Sequence, residues 1–293
     1  MAGIASAERP TLVDDGLNFS RFGYFTRPIR AGDARVRDQV AVTDWIALEE
    51  LLHRLQHGDF SATLALRGLL RGSPDWRVKS AAACVLGYAE SASGFRAMRA
   101  EVEGWDALKA DAIDVKAREL LLLYCRAFAR WARVDVVPFL VDQYLTLRLK
   151  QTPEIALLPR LIASLLVERG SMIAHEPPDD ALDDYLSLVM NRYEEVTAEL
   201  GSDKAIVHHG SLLAVPDLAH RLLDPDMRFP SVELPALREP FESFTGIDCS
   251  AMFPGGRASP LAAAAFVEHL LDAGSLAGFE PGVRYFFGRP VPA

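Results

Sequence analysis

The sequence predicts an all-α protein, a solenoid of antiparallel helix pairs with an irregular arm before it and a small hairpin-like tail after it. Three observations predict this. Apolar residues recur at helical spacing through most of the chain. Alternation of β-branched residues, the mark of half-buried strands, is scarce. Half of the 293 residues are apolar and 24% are charged, a globular balance that supplies a core and excludes a disordered or fibrous chain. That length fits one large domain or two.

Residues 1–42 form the irregular arm, in which 18–25 are aromatic-rich and suit a short strand or a docking segment. Residues 43–224 form the helical repeat domain. Thr43 or Asp44 caps its first helix, Leu48, Leu51, Leu52 and Leu55 share one face, and Gly58 follows its end. Further helices are expected over 60–70, 76–89, 94–103, 114–131, 136–149, 153–168, 179–200 and 205–223. Pro225, Pro230, Pro235 and Pro240 make 225–240 an extended linker, because proline removes a donor and blocks a helix. Residues 241–293 pack on the solenoid. They hold a helix over 260–273, with Pro260 in its first turn and Gly274 after its end, and a tail whose strand-like residues lie between glycines.

Within the repeat domain, 66–89 reads LRGLLRGSPDWRVKSAAACVLGYA: an apolar helix end, a short turn, Asp75 with Val78 and Lys79, then an Ala-rich helix with Gly87. This stretch resembles a HEAT-like repeat of the phycobilisome-lyase type. Asp114, Val115 and Lys116 before Ala117 to Leu120 echo the pattern more weakly, and Phe241 to Gly246 is similar to an FExxTG segment of such proteins. The resemblance is strong over about 25 residues. It implies stacked helix pairs and a binding surface, and no reaction.

The net charge of −9 argues against nonspecific nucleic-acid binding by the whole molecule. Residues 1–150 carry 21 Lys and Arg against 19 Asp and Glu, whereas 151–293 carry 10 against 21. Arg outnumbers Lys 26 to 5, a codon bias expected of a GC-rich bacterial genome. The cysteines Cys84, Cys125 and Cys249 form no CxxC and no disulfide framework; Cys84 and Cys125 sit in apolar runs and read as buried thiols. No signal peptide and no uncharged apolar run of membrane-spanning length is visible, so a cytoplasmic protein without membrane contact is expected.

Candidate chemistry is sparse. Asp179, Asp180, Asp183 and Asp184 contain DDxxD, which resembles the metal–diphosphate motif of all-helical isoprenoid synthases. Asp180 and Asp184 at i, i+4 would suit Mg²⁺. Against it, no second aspartate-rich motif is present, and helical projection puts Asp180, Asp184, Asn191 and Glu195 opposite Leu182, Tyr185, Leu186, Val189, Tyr193, Val196 and Leu200. Acids near a helix start are also favoured by the helix dipole. Glu49, His53 and His57 share a face opposite the leucine stripe, without a further strong ligand. His208, His209 and Gly210 match no hydrolase motif. No phosphate-binding loop occurs. Arg21, Arg27, Arg30, Arg35 and Arg37, among Phe22, Tyr24 and Phe25, would suit stacking on bases, diluted by Asp33 and Asp38.

The most informative segment is 176–204, with nine acids and two bases. Like-sign clustering steers an opposite charge. The expectation is therefore a noncatalytic binding protein that needs no metal or cofactor. Asp179, Asp180, Asp183, Asp184, Glu194, Glu195 and Glu199 would form an acidic surface for a basic protein partner, such as a toxin met by an immunity protein or a component of a secretion system. The alternatives are a metal-dependent helical enzyme using Asp179–Asp184 and a nucleic-acid binder using the Arg-rich arm.

Overall fold

The computed structural model describes residues 39–109, 113–150, 153–167, 171–223 and 230–292, and most of them are helical. No helix among them is long and apolar enough to cross a membrane. The chain divides into two compact units. One comprises the residues up to Ser91 together with those from Ala214 onward; the other is Ala92–Leu213. The division falls inside the 43–224 domain read from the sequence, because helical periodicity does not say which distant segments meet.

The first unit starts with α1 (Val42–Gln56), α2 (Thr63–Gly72) and α3 (Trp76–Ala89), each packed on the other two. The leucine stripe of α1 is buried as expected. Neither Thr43 nor Asp44 caps that helix. Instead Ser73 Oγ donates to Asp44 at 2.6 Å, and Trp45 Nε1 donates to Asp75 at 3.2 Å, so both side chains tie α1 to the start of α3. Asp75 itself caps α3, accepting from Arg77 N–H at 2.8 Å. Asp59 opens the turn before α2, and its carboxyl is held below the usual range by the Ser61 hydroxyl and by Arg54.

α3 is buried on nearly every side: Val78, Ala82 and Leu86 are fully buried and Ala83 is 1% exposed. Small side chains allow this close approach. Its C-terminal carbonyls are satisfied from far along the chain. Arg284 donates to the carbonyls of Glu90, Gly87 and Tyr88 at 2.8–3.0 Å. Beside them the buried Glu90 carboxylate accepts from Thr63 Oγ1 at 3.1 Å and faces Arg67 Nε at 3.2 Å as an ion pair.

The C-terminal part contributes α10 (Val215–Leu222), α11 (Pro230–Thr245), α12 (Pro260–Asp272) and a hairpin of β3 (Tyr285–Phe286) with β4 (Arg289–Pro290). The helices from α4 to α9 and the strands β1 and β2 belong to the second unit. The extended linker expected over 225–240 is replaced from Pro230 onward by helix α11, which carries Pro235 and Pro240 internally. Each ring costs about 3 kcal/mol in a helix interior. Burial of Leu234, Phe241 and Phe244 on one side of α11 opposes that cost. The FExxTG segment is the stop of this helix. Thr245 Oγ1 donates to the Phe241 carbonyl at 2.7 Å, and Gly246 turns out at φ +73°, where an added Cβ would meet Phe287 at 3.1 Å. Glu242 is buried and accepts from Arg238 Nε and from the Cys249 N–H, both at 2.7 Å. The C-terminal hairpin and the helix over 260–272 match the sequence reading.

The second unit holds α4 (Ala92–Glu103), the short α5 (Asp106–Lys109), α6 (Val115–Trp131), α7 (Val137–Leu149), α8 (Leu157–Leu166), α9 (Leu182–Leu200) and a hairpin of β1 (Val207–His208) with β2 (Ser211–Leu212). α6 packs on α4 and α8, and α7 and α9 cover α8. Asp114 caps α6 through the N–H groups of Lys116 and Ala117. The backbone of 132–135 is stapled to 203–207: Asp135 N–H donates to the Asp203 carbonyl at 2.8 Å and Val207 N–H to the Ala132 carbonyl at 2.7 Å. Cys84, Cys125 and Cys249 are all buried, and none is in a disulfide. Burial pushes the Cys125 and Cys249 thiols up, which suits packing rather than nucleophilic chemistry.

Candidate functional site: an acidic helix face

Residues 176–181 lead into α9 through a 3₁₀ turn over Asp179–Ala181, and the α-helix begins at Leu182. Asp179 and Asp180 therefore lie before the helix, not on it, and Asp180 and Asp184 are not stacked on one continuous α-helical face. The acids do not cap the helix either. Its N-cap is Ala181, with no side-chain hydrogen bond. The α-helix thus starts a turn later than the sequence pattern places it.

From Leu182 onward the projection holds. Tyr185, Val189 and Val196 are buried, and Leu182, Leu186, Tyr193 and Leu200 are half-buried. Burial raises the Tyr185 phenol, whose hydroxyl donates to the Ile173 carbonyl at 3.1 Å. The opposite side, including Asp183, Asp184, Glu194, Glu195 and Glu199, is exposed.

The seven acids divide by partner. Asp179 pairs with Arg148 Nη2 at 2.5 Å. Partial burial works against the Arg148 charge, but its hydrogen bonds to Asp179 and Tyr144 prevail and hold its pKa above the ordinary value. Glu195 and Glu199 share Arg192 Nη1 at 3.0 and 3.4 Å. Asp180, Asp183, Asp184 and Glu194 make no ion pair among the described residues. Asp183 and Glu194, like Asp184 and Glu195, are eleven residues apart, which aligns each pair along the helix over about 16 Å. Leu188, 44% exposed, lies between Asp184 and Glu195 on their row. The face is thus a charged strip with an apolar spot at its middle.

The other sequence candidates take structural roles. His209 N–H and Gly210 N–H donate to the carbonyls of Ser164 and Leu165, closing the end of α8, and a Cβ on Gly210 would collide with the Leu166 carbonyl oxygen. His53 and His57 lie edge to face at the end of α1, with a ring nitrogen of His57 2.8 Å from the His53 carbonyl oxygen. Among the described residues no group of three or more His, Cys, Asp or Glu is placed to hold a metal ion. The Arg-rich arm, from Arg21 to Arg37, lies outside the described residues.

A cavity of about 200 Å³ in the second unit was not singled out from sequence. Phe95, Phe128, Trp131 and Phe139 form its base, and Arg96, Arg99, Arg133 and Lys204 surround it. The signals that point to it are the adjacent aromatic and basic residues Phe95-Arg96 and Trp131-Ala132-Arg133. What no local pattern tells is that Lys204 joins them through the backbone staple. Comparison with protein-family models, with curated proteins and with solved structures finds no match to this chain.

Proposed function

We propose that this chain is a noncatalytic binding protein of a bacterial cytosol whose helix α9 docks a basic protein. A basic toxin neutralised by it, or a basic component of a secretion system, would be such a partner. The helix pairs serve as a HEAT-like scaffold, a reading supported by the burial of Ala82 and Ala83 on α3, the helix that packs on α1 and α2.

One observation carries the proposal: Asp180, Asp183, Asp184 and Glu194 are exposed without ion partners among the described residues, while nearby Asp179, Glu195 and Glu199 have theirs. Unpaired like charges along three turns repel one another and cost stability, and an opposite surface relieves that repulsion on docking. Exposed Leu188 supplies an apolar contact inside the charged rim, as interface centres do.

A photo-reactive residue at position 188 in the native host tests this. The expected product is one predominant crosslink to a basic protein, diminished when Asp183, Asp184 and Glu194 are changed to Lys. Crosslinking to an acidic protein, or a yield indifferent to the three substitutions, would contradict the proposal.

A further inference from the structure

The cavity in the second unit brings four cations together in a molecule of net charge −9. Arg96 and Arg99 come from α4, Arg133 from the turn after α6, and Lys204 from the turn after α9. The one acid among the lining residues, Asp135, is already engaged: it holds Arg133 by a two-pronged contact through Nε and Nη2. That leaves Arg133 Nη1 without a protein partner among the described residues. Arg99 uses Nε for Glu103 at 2.7 Å. Arg96 and Lys204 side chains have no partner at all among the described residues.

Two of the cations are held in place from below. The Arg133 guanidinium sits 4.6 Å from the Trp131 ring centre and that of Arg99 sits 5.5 Å from Phe139. Trp131 in turn stacks on Phe95 at 4.2 Å with the planes 17° apart, and Phe128 fills the space between Phe95 and Phe139. The staple from Asp135 N–H to the Asp203 carbonyl fixes the Lys204 turn beside Arg133. Cations gathered over a rigid apolar base cost mutual repulsion in the empty state, and an anion removes that cost.

We infer that this cavity binds a small organic carboxylate: the Arg96, Arg99, Arg133 and Lys204 charges hold the anionic head, and a short apolar body lies against Trp131. The volume of about 200 Å³ is below the range of drug-sized ligands, so the body is a single ring or a short chain. Arginine suits the head because its planar fork matches a carboxylate. The site is independent of the acidic face on α9, and its test does not involve the protein partner.

Calorimetric titration of the full chain with 3-phenylpropionate tests it, with 3-phenylpropanamide and inorganic phosphate as the comparison probes. The acid is expected to bind one saturable site and to shift the Trp131 indole N–H resonance. The amide and phosphate should each bind at least about tenfold more weakly, since one lacks the charge and the other the apolar body. Arg96→Gln with Lys204→Gln should weaken the acid by at least about tenfold. These two exposed side chains make no hydrogen bond or ion pair among the described residues, and neutralising them relieves repulsion, so the melting temperature should not fall. Absence of saturable binding at millimolar acid would overturn the assignment. So would phosphate or amide binding as tightly as the acid, or a double variant that binds like the parent.

Discussion

At the scale of single residues, the clearest dependence of fold on sequence is the burial of α3. Leu86 is fully buried on a helix that packs on α1, α2 and β3, so Leu86→Ala leaves a cavity and should lower stability by about 2–5 kcal/mol in denaturant unfolding. Arg284 is the opposite kind of residue, polar yet 8% exposed, and it satisfies three carbonyls at the end of α3. Arg284→Ala strands those acceptors and should cost about 3 kcal/mol by the same measurement. The apolar role of Leu86 is legible because neighbours at helical spacing announce it. The role of Arg284 is not legible, because nothing local distinguishes it from a surface arginine; only the return of the hairpin to α3 assigns it.

At the scale of elements, helices with ordinary amphipathic patterning fall close to where their sequence puts them: α1, α3, α6 and α12 are examples. Two others depart from their sequence reading. Helix α11 tolerates Pro235 and Pro240 because Leu234, Phe241 and Phe244 bury one side of it, an energy that proline counting does not see. Helix α9 starts at Leu182, after a 3₁₀ turn that takes up Asp179 and Asp180. That slip has a consequence for metal binding. With Asp179 tied to Arg148 and Asp180 off the helix, the DDxxD residues should show no stoichiometric Mg²⁺ site in calorimetry. A one-to-one isotherm abolished by Asp180→Asn and Asp184→Asn would instead promote the metal-dependent enzyme. Of the candidate site, the exposed acids of α9 were legible from the projection of one helix. Which of them carry ion partners was not, since Arg148 lies 31 residues before Asp179.

At the scale of the whole molecule, the first unit is assembled from both ends of the described chain, and the Ala92–Leu213 unit lies between them in sequence. Deleting residues 283–293 removes Arg284 and the hairpin. Hydrogen exchange should then show α3 amides losing protection by at least about tenfold, because their helix end is left open. Amides of α6 and α8, whose core lies in the other unit, should keep theirs.

The central claim is that α9 recruits a basic protein by charge. Asp180, in the turn before α9, and Asp184 and Glu195, on the side of α9 away from Tyr185, Val189 and Val196, are all exposed, so reversing all three to Lys should leave the fold intact, with about 0.5 kcal/mol or less at each position. Arg192, which loses Glu195 in that variant, keeps Glu199 as its partner. The most direct measurement is the association rate with the partner crosslinked through position 188, for both versions, across salt. The parent on-rate should fall steeply as the Debye length shortens from about 10 Å at 0.1 M to about 3 Å at 1 M, and the reversed protein should associate at least about tenfold more slowly at low salt. An on-rate that is the same for both folded proteins, and indifferent to salt, would contradict the claim and leave this strip a solvated helix face.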